Sequence, residues 1–221
     1  MEIDLGESEF AIIANDGREF RTDKSVLVAE SDYFAKLLEI HMVESKNKRV
    51  SFVQFDSNLI SSMLHFMHHG EFEAGVELCD LLDCAVYLLI PKAVRAASNK
   101  ILQQELNIDN WFTVLSLFQT YSLSAPIAET KSFVRAEFSK VLVLFISKLL
   151  GQYDFGEAHG KLSVRQTLER LGSEEVHFTT SPEDLAIVET LIELWELPEI
   201  DLFFFLSCFD VEEHLSECSQ G

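Results

Sequence analysis

Two short strand-like runs, one continuously apolar and one mostly polar, stand near the start of the chain, and almost everything after residue 57 recurs at helical spacing instead. Residues 10–14 and 18–21 flank Asn15-Asp16-Gly17, a cluster that supplies the positive backbone angles of a tight turn, so the pattern predicts two antiparallel strands. A short apolar helical turn follows. Ser31, an N-cap residue type, with Asp32 in the first turn then opens an amphipathic helix on which Phe34, Leu37, Leu38 and Met42 fall at i, i+3, i+4 and i+8. Asn47, Lys48 and Arg49 lead into a third strand at 50–53, with Val50 and Phe52 on one face. Asp56 or Ser57 caps a further helix carrying Ile60, Met63, Leu64 and Met67, widened by Leu59 and Phe66 and closed by Gly70. Residues 76–89 repeat the pattern with Leu78, Leu81, Leu82, Ala85 and Leu89. Pro91 marks the end of that helix and suits the first turn of the next, which carries Val94, Ala97, Ile101 and Leu102 as far as Leu106.

The predicted order is strand, strand, helix, helix, strand, helix, helix, helix. Periodicity alone supports nothing sharper than a helix tucked against a sheet in some α/β domain. The stretch 20–52 says more, because it resembles the signature of the BTB/POZ domain: a strand leading into His-(Lys/Arg)-x-x-Leu-x-x-x-Ser-x-Tyr-Phe, then Met-x-Glu-Ser and another strand. Lys24, Leu27, Ser31, Tyr33, Phe34, Met42, Glu44 and Ser45 stand at the family's spacing. Two departures are visible. Asp23 replaces the family's His, and Met67-His68-His69-Gly70 stands where Ile-Tyr-Thr-Gly is usual. The resemblance covers about residues 9–106 and implies an α+β fold, a small sheet with helical hairpins.

Asn107-Ile108-Asp109-Asn110-Trp111 resets the helical phase and is the best internal boundary, which divides the chain into 1–106 and 107–221. Residues 111–121 and 132–150 then read as helices broken by Ser124-Ala125-Pro126. Asn110 before its helix, Leu123 ahead of Lys131, and the spacing of Phe133 and Phe138 are similar to the BACK domain, the all-α helical-hairpin region behind many BTB domains. Residues 152–160 read as a surface loop and 162–171 as a short helix closed by Gly172. Ser181-Pro182-Glu183-Asp184 is a start signal for a helix bearing Leu185, Val188, Leu191, Ile192 and Trp195. Pro198 closes that helix, and 200–215 forms a last one in which Phe203, Phe204 and Phe205 sweep too wide an arc to share one face. Core filling explains most of that arc; a partner-binding patch is the sharper reading. There is no internal repeat, and so no propeller blade.

Charge narrows the partners. The net charge is -20, and beyond Arg170 the chain holds thirteen acidic residues without a Lys or Arg. Such a segment repels phosphate backbones, so nucleic acid is not expected as a direct ligand. Four cysteines at Cys79, Cys84, Cys208 and Cys218 make no disulfide framework. The first ten residues lack the basic end and apolar run of a signal peptide, and the longest apolar runs fall far short of the ~20 residues a membrane span requires. A cytoplasmic or nuclear protein without membrane contact is the expectation.

The chemistry expected of an enzyme is missing from the sequence. No Gly-x-Ser-x-Gly elbow, Walker loop or dinucleotide glycine pattern occurs, and most carboxylates sit between apolar stripe positions. His65, His68 and His69 share one helix near Cys79 and Cys84, but no Cys-x-x-Cys or His-Glu-x-x-His frame completes a zinc site. No cofactor, metal or catalytic residue is assigned. What the BTB resemblance implies is recognition: in cullin-binding members a hydrophobic-x-Glu motif just past the organising helix contacts the cullin scaffold of a ubiquitin ligase. Met42, Val43 and Glu44 occupy that place here. The expectation is therefore an adaptor of a cullin-RING E3 ubiquitin ligase, with Phe203, Phe204 and Phe205 as the guess for capture of an unknown protein substrate. The alternative is a self-associating BTB scaffold or transcription-related interaction protein that never meets a cullin. The short segment before the first strand leaves a homodimer with a reduced interface, or a monomer, as the expected states.

Overall fold

A computed structural model describes residues 8–39, 46–138, 140–142, 144–145 and 182–194. The chain divides into two compact units, Met1–Glu105 and Leu106–Gly221. In the first, strands β1 (Glu9–Ile13) and β2 (Glu19–Asp23) form an antiparallel hairpin with Phe10 opposite Thr22 and Ile12 opposite Phe20. The hairpin closes because Gly17 takes a φ of 83° that a residue with a Cβ avoids, while its N–H donates to Ala14 C=O at 2.9 Å. Strand β3 (Arg49–Ser51) joins the other edge of β1 in parallel, with Val50 opposite Ile12, giving the order β2-β1-β3. A central strand has both faces covered, which is why Phe10, Ala11 and Ile12 are all buried in succession.

Among the described residues the first unit has five helices: α1 (Lys24–Glu30), α2 (Asp32–Glu39), α3 (Ser57–His69), α4 (Leu78–Tyr87) and α5 (Pro91–Gln104). Helix α1 packs on α2 and α3, α3 on α4, and α4 on α5. Local chemistry sets their ends. The Asp56 carboxylate accepts the Leu59 N–H at 2.8 Å, and at the other end of α3 Gly70 enters the left-handed region at φ 78° and donates to Phe66 C=O. Pro91 opens α5 at a position where a missing N–H costs nothing.

Two expectations are corrected. Leu89 does not extend the buried stripe of α4: the helix ends at Tyr87, and Leu89 sits at φ 51° with its side chain exposed. The residue before a proline is driven out of the helical region, so the chain must turn between Tyr87 and Pro91. In the second unit Ser124-Ala125-Pro126 does not separate two helices. It begins one, because a proline within the first turn removes only an N–H that had no partner there.

That helix, α7 (Ser124–Ala136), packs against α6 (Trp111–Thr120). The turn before α6 is knotted by its own side chains: Asn107 Oδ1 accepts from the N–H groups of Asp109 and Asn110, and Asn110 Oδ1 accepts from Asn107 N–H. Trp111, Val114, Leu115 and Phe118 form the buried face of α6. Helix α8 (Pro182–Glu193) buries Val188 and Leu191, three residues apart. The loop at 152–160, the helix at 162–171 and the helix at 200–215 lie outside the described residues, as do Phe203, Phe204 and Phe205.

Candidate partner-docking surface

The start of α2 is fastened to the turn between α4 and α5 by Ser31. Its Oγ accepts the Phe34 N–H at 3.2 Å, capping the helix, and donates to Leu88 C=O at 2.6 Å. Next to it the Asp32 N–H donates to Leu89 C=O at 3.2 Å. Ser31 is buried, so one hydroxyl satisfies two backbone groups that water does not reach. The turn itself is tight: Leu88, Leu89 and Ile90 N–H groups return to the carbonyls of Cys84, Val86 and Ala85. Leu88 and Ile90 point into the core, and the left-handed backbone between them turns Leu89 outward.

Next to this turn lies an aromatic cluster drawn from four parts of the chain. Phe34 meets Phe10, Tyr33 and Phe52 with ring centroids 6.2, 5.2 and 6.3 Å apart, all close to edge-on. Tyr87 continues the cluster outward, 5.8 Å from Tyr33, 6.0 Å from Phe52 and 5.2 Å from Phe55. Phe10, Phe34, Phe52 and Phe55 are buried, whereas Tyr87 is 47% and Leu89 43% exposed. Val53, between two buried phenylalanines, is 85% exposed. The cluster thus reaches the surface at Tyr87, whose ring rests on the buried Phe52 and Phe55.

Helix α2 runs from this fastened turn to Glu39. Met42, Val43 and Glu44 follow three to five residues later and lie outside the described residues. Tyr87, Leu89 and Val53 were not legible as surface positions, since each sits in an apolar run that reads as core. The available signal was Tyr87-Leu88-Leu89-Ile90 ahead of Pro91, more consecutive apolar residues than one helix face can bury. Among the described residues no three metal-ligating side chains converge. The rings of His65 and His69 lie 4.5 Å apart, tilted by 45° to one another. Burial pushes the Cys84 thiol far up, and burial together with the charges of Glu105, Asp80 and Glu77 raises Cys79, so neither is a ready thiolate.

The family model described as BTB/POZ domain matches residues 7–105. The first unit is a BTB/POZ domain. Kelch-like protein 11 of Homo sapiens is 26% identical over 133 residues, covering 57% of this chain and 19% of that protein. Kelch-like protein 21 of Rattus norvegicus is 26% identical over 118 residues, 53% of this chain and 20% of the other. BTB and MATH domain-containing protein 41 of Caenorhabditis elegans is 28% identical over 116 residues, 50% and 28% respectively. The chain therefore spans between about a fifth and about a quarter of these relatives' length.

Within the BTB domain the two departures from the family pattern meet. Asp23 caps α1, its carboxylate accepting the Ser25 N–H at 2.8 Å, and His68 bonds Thr22 Oγ1 at 2.9 Å one residue away. The Ser25 N–H, then its hydroxyl, and more weakly the charge of His68 hold the Asp23 carboxyl below the usual carboxylate value of 3.8. A depressed folded pKa stabilises above the unfolded value and is lost as pH falls below 3.8 and through the lower folded value. Asp23→Asn keeps a capping side chain but removes the titration. Urea unfolding at a series of acidic pH values is expected to show a shallower loss of stability for that variant than for the parent; parallel curves would reject the linkage.

Proposed function

We propose that this chain is a protein-interaction adaptor that docks the cullin scaffold of a ubiquitin ligase through its BTB domain, with catalysis belonging to other subunits. The contact runs along α2. Met42, Val43 and Glu44 past its end provide an apolar anchor and a carboxylate, and Leu89 and Tyr87 at its beginning extend the apolar surface. An eight-residue helix is about 12 Å long. A standard interface covers roughly 800 Å² on each partner, wide enough to include both ends of it. The observation that carries the reading is the fastened turn: Leu89 is held outward in a strained backbone while its neighbours are buried, and rigid exposed apolar groups are what a binding hot spot requires. The Kelch-like relatives support the adaptor class, and the second unit serves as a BACK-like helical extension behind the BTB domain. Capture of a protein substrate by Phe203, Phe204 and Phe205 belongs to the same proposal.

The test is titration of the whole chain with a cullin N-terminal domain by calorimetry or interferometry. Binding at micromolar concentration is expected, weakened roughly tenfold or more by Met42→Ala with Glu44→Ala, which corresponds to a small hot spot. Leu89→Asn is a clean second variant, because asparagine accepts the left-handed backbone and removes the apolar side chain. It is expected to weaken the complex without lowering the thermal midpoint. Failure of the parent chain to bind would leave the self-associating scaffold as the reading, which sedimentation across concentrations would then reveal. Binding unaffected by these variants would reject the site while keeping the partner.

A further inference from the structure

The cullin proposal does not use the cleft of about 530 Å³ that α3 and α5 leave between them. Its floor is Phe66 and Met67 from the last turn of α3, and its wall is one face of α5, where Lys92, Arg95 and Asn99 follow at i, i+3 and i+7. The charges in it do not cancel. Glu30 at the mouth pairs with Lys92 at 2.8 Å, which neutralises both. Arg95, one turn further along, is exposed and has no hydrogen bond or ion pair among the described residues. Arg95 thus leaves an unneutralised guanidinium beside the apolar side chains of the floor.

We propose that this cleft takes an extended segment of a partner protein in which one Asp or Glu is flanked by apolar side chains. Three features favour a peptide over a small anion. The volume falls in the range of about 300–1,000 Å³ usual for ligand sites, several times what a lone carboxylate or phosphate fills. The floor is apolar, which a flanking aliphatic side chain covers and a hydrated anion does not. The Asn99 amide stands one turn beyond Arg95, at the spacing where a donor and an acceptor meet the peptide group next to the bound carboxylate. The Arg95 fork matches that carboxylate in two parallel hydrogen bonds. Because Glu30 already holds Lys92, only Arg95 has to exchange water for the ligand. This site is independent of the cullin proposal and of residues 42–44.

The probe is a blocked peptide of sequence Ala-Leu-Glu-Leu-Ala added to the isotope-labelled whole chain, with its Glu-to-Gln counterpart and inorganic phosphate as the other arms. Saturable amide shifts on the C-terminal turn of α3 and the first half of α5 are expected. The Gln peptide, and the Glu peptide on Arg95→Ala, are expected to bind roughly tenfold more weakly, the size of a lost charge-assisted contact. Raised salt acts in the same direction. Arg95 is exposed, so its variant is expected to keep the parent's unfolding midpoint. The proposal is overturned if the Glu and Gln peptides shift the same residues equally, if phosphate saturates the site as well as the peptide does, or if no shift appears at millimolar peptide.

Discussion

Phe34→Ala is expected to lower the stability of the BTB unit by about 4 kcal/mol, within the range seen for truncating a buried phenylalanine. The ring is fully buried and touches three others, so its removal opens a cavity in the one cluster shared by β1, α2, the strand end after β3 and the end of α4. A loss of that size is a large part of the ~5–15 kcal/mol that holds a domain together. Urea unfolding followed by circular dichroism measures it. Both tryptophans, Trp111 and Trp195, belong to the second unit, so indole fluorescence does not report on the cluster directly. A midpoint within a few tenths molar of the parent would show that the rings are not the core of the domain.

Ser31→Ala is expected to cost about 2 kcal/mol, more than an ordinary N-cap. Losing the cap on Phe34 N–H accounts for about half of it. The remainder comes from Leu88 C=O, which loses a bond of 2.6 Å in a place that water does not reach. Because the same hydroxyl fixes the turn that carries Leu89, the variant is also expected to weaken any complex formed through that turn. A cost no greater than that of replacing an exposed cap would mean the Leu88 bond is solvated in solution. Thermal unfolding gives the number, at roughly 4–8 °C per kcal/mol for a domain of this size.

Taken with the structure, these two residues explain why the BTB resemblance was readable at all. Leu27, Ser31 and Phe34, three of the matching positions, are buried parts of the fold and not contact residues. Their spacing reports on how α1 and α2 are fitted together. The hairpin was legible because Asn15-Asp16-Gly17 has few alternatives to a turn, and α3 because Asp56 and Gly70 mark both of its ends chemically. Leu89 was misread for an equally physical reason. An apolar residue at helical spacing predicts a buried face, and nothing in periodicity registers that a proline two residues later forces the chain to turn. Pro126 failed in the opposite direction, since a proline reads as a break unless the first turn of a helix is already known to begin before it.

The sequence by itself determined the elements, because caps, turn residues and apolar periods are local properties of the chain, and its resemblance to the BTB/POZ signature supplied the class of fold and the expectation that this protein recognises others. Tertiary structure alone decided which apolar residues face outward and which polar ones are buried. Ser31 and Leu88 are 57 positions apart, Thr22 and His68 are 46 apart, and only folding makes them partners. The cleft beside Arg95 exists for the same reason: its floor comes from α3 and its charge from α5, and no local pattern records that the two helices leave a gap between them.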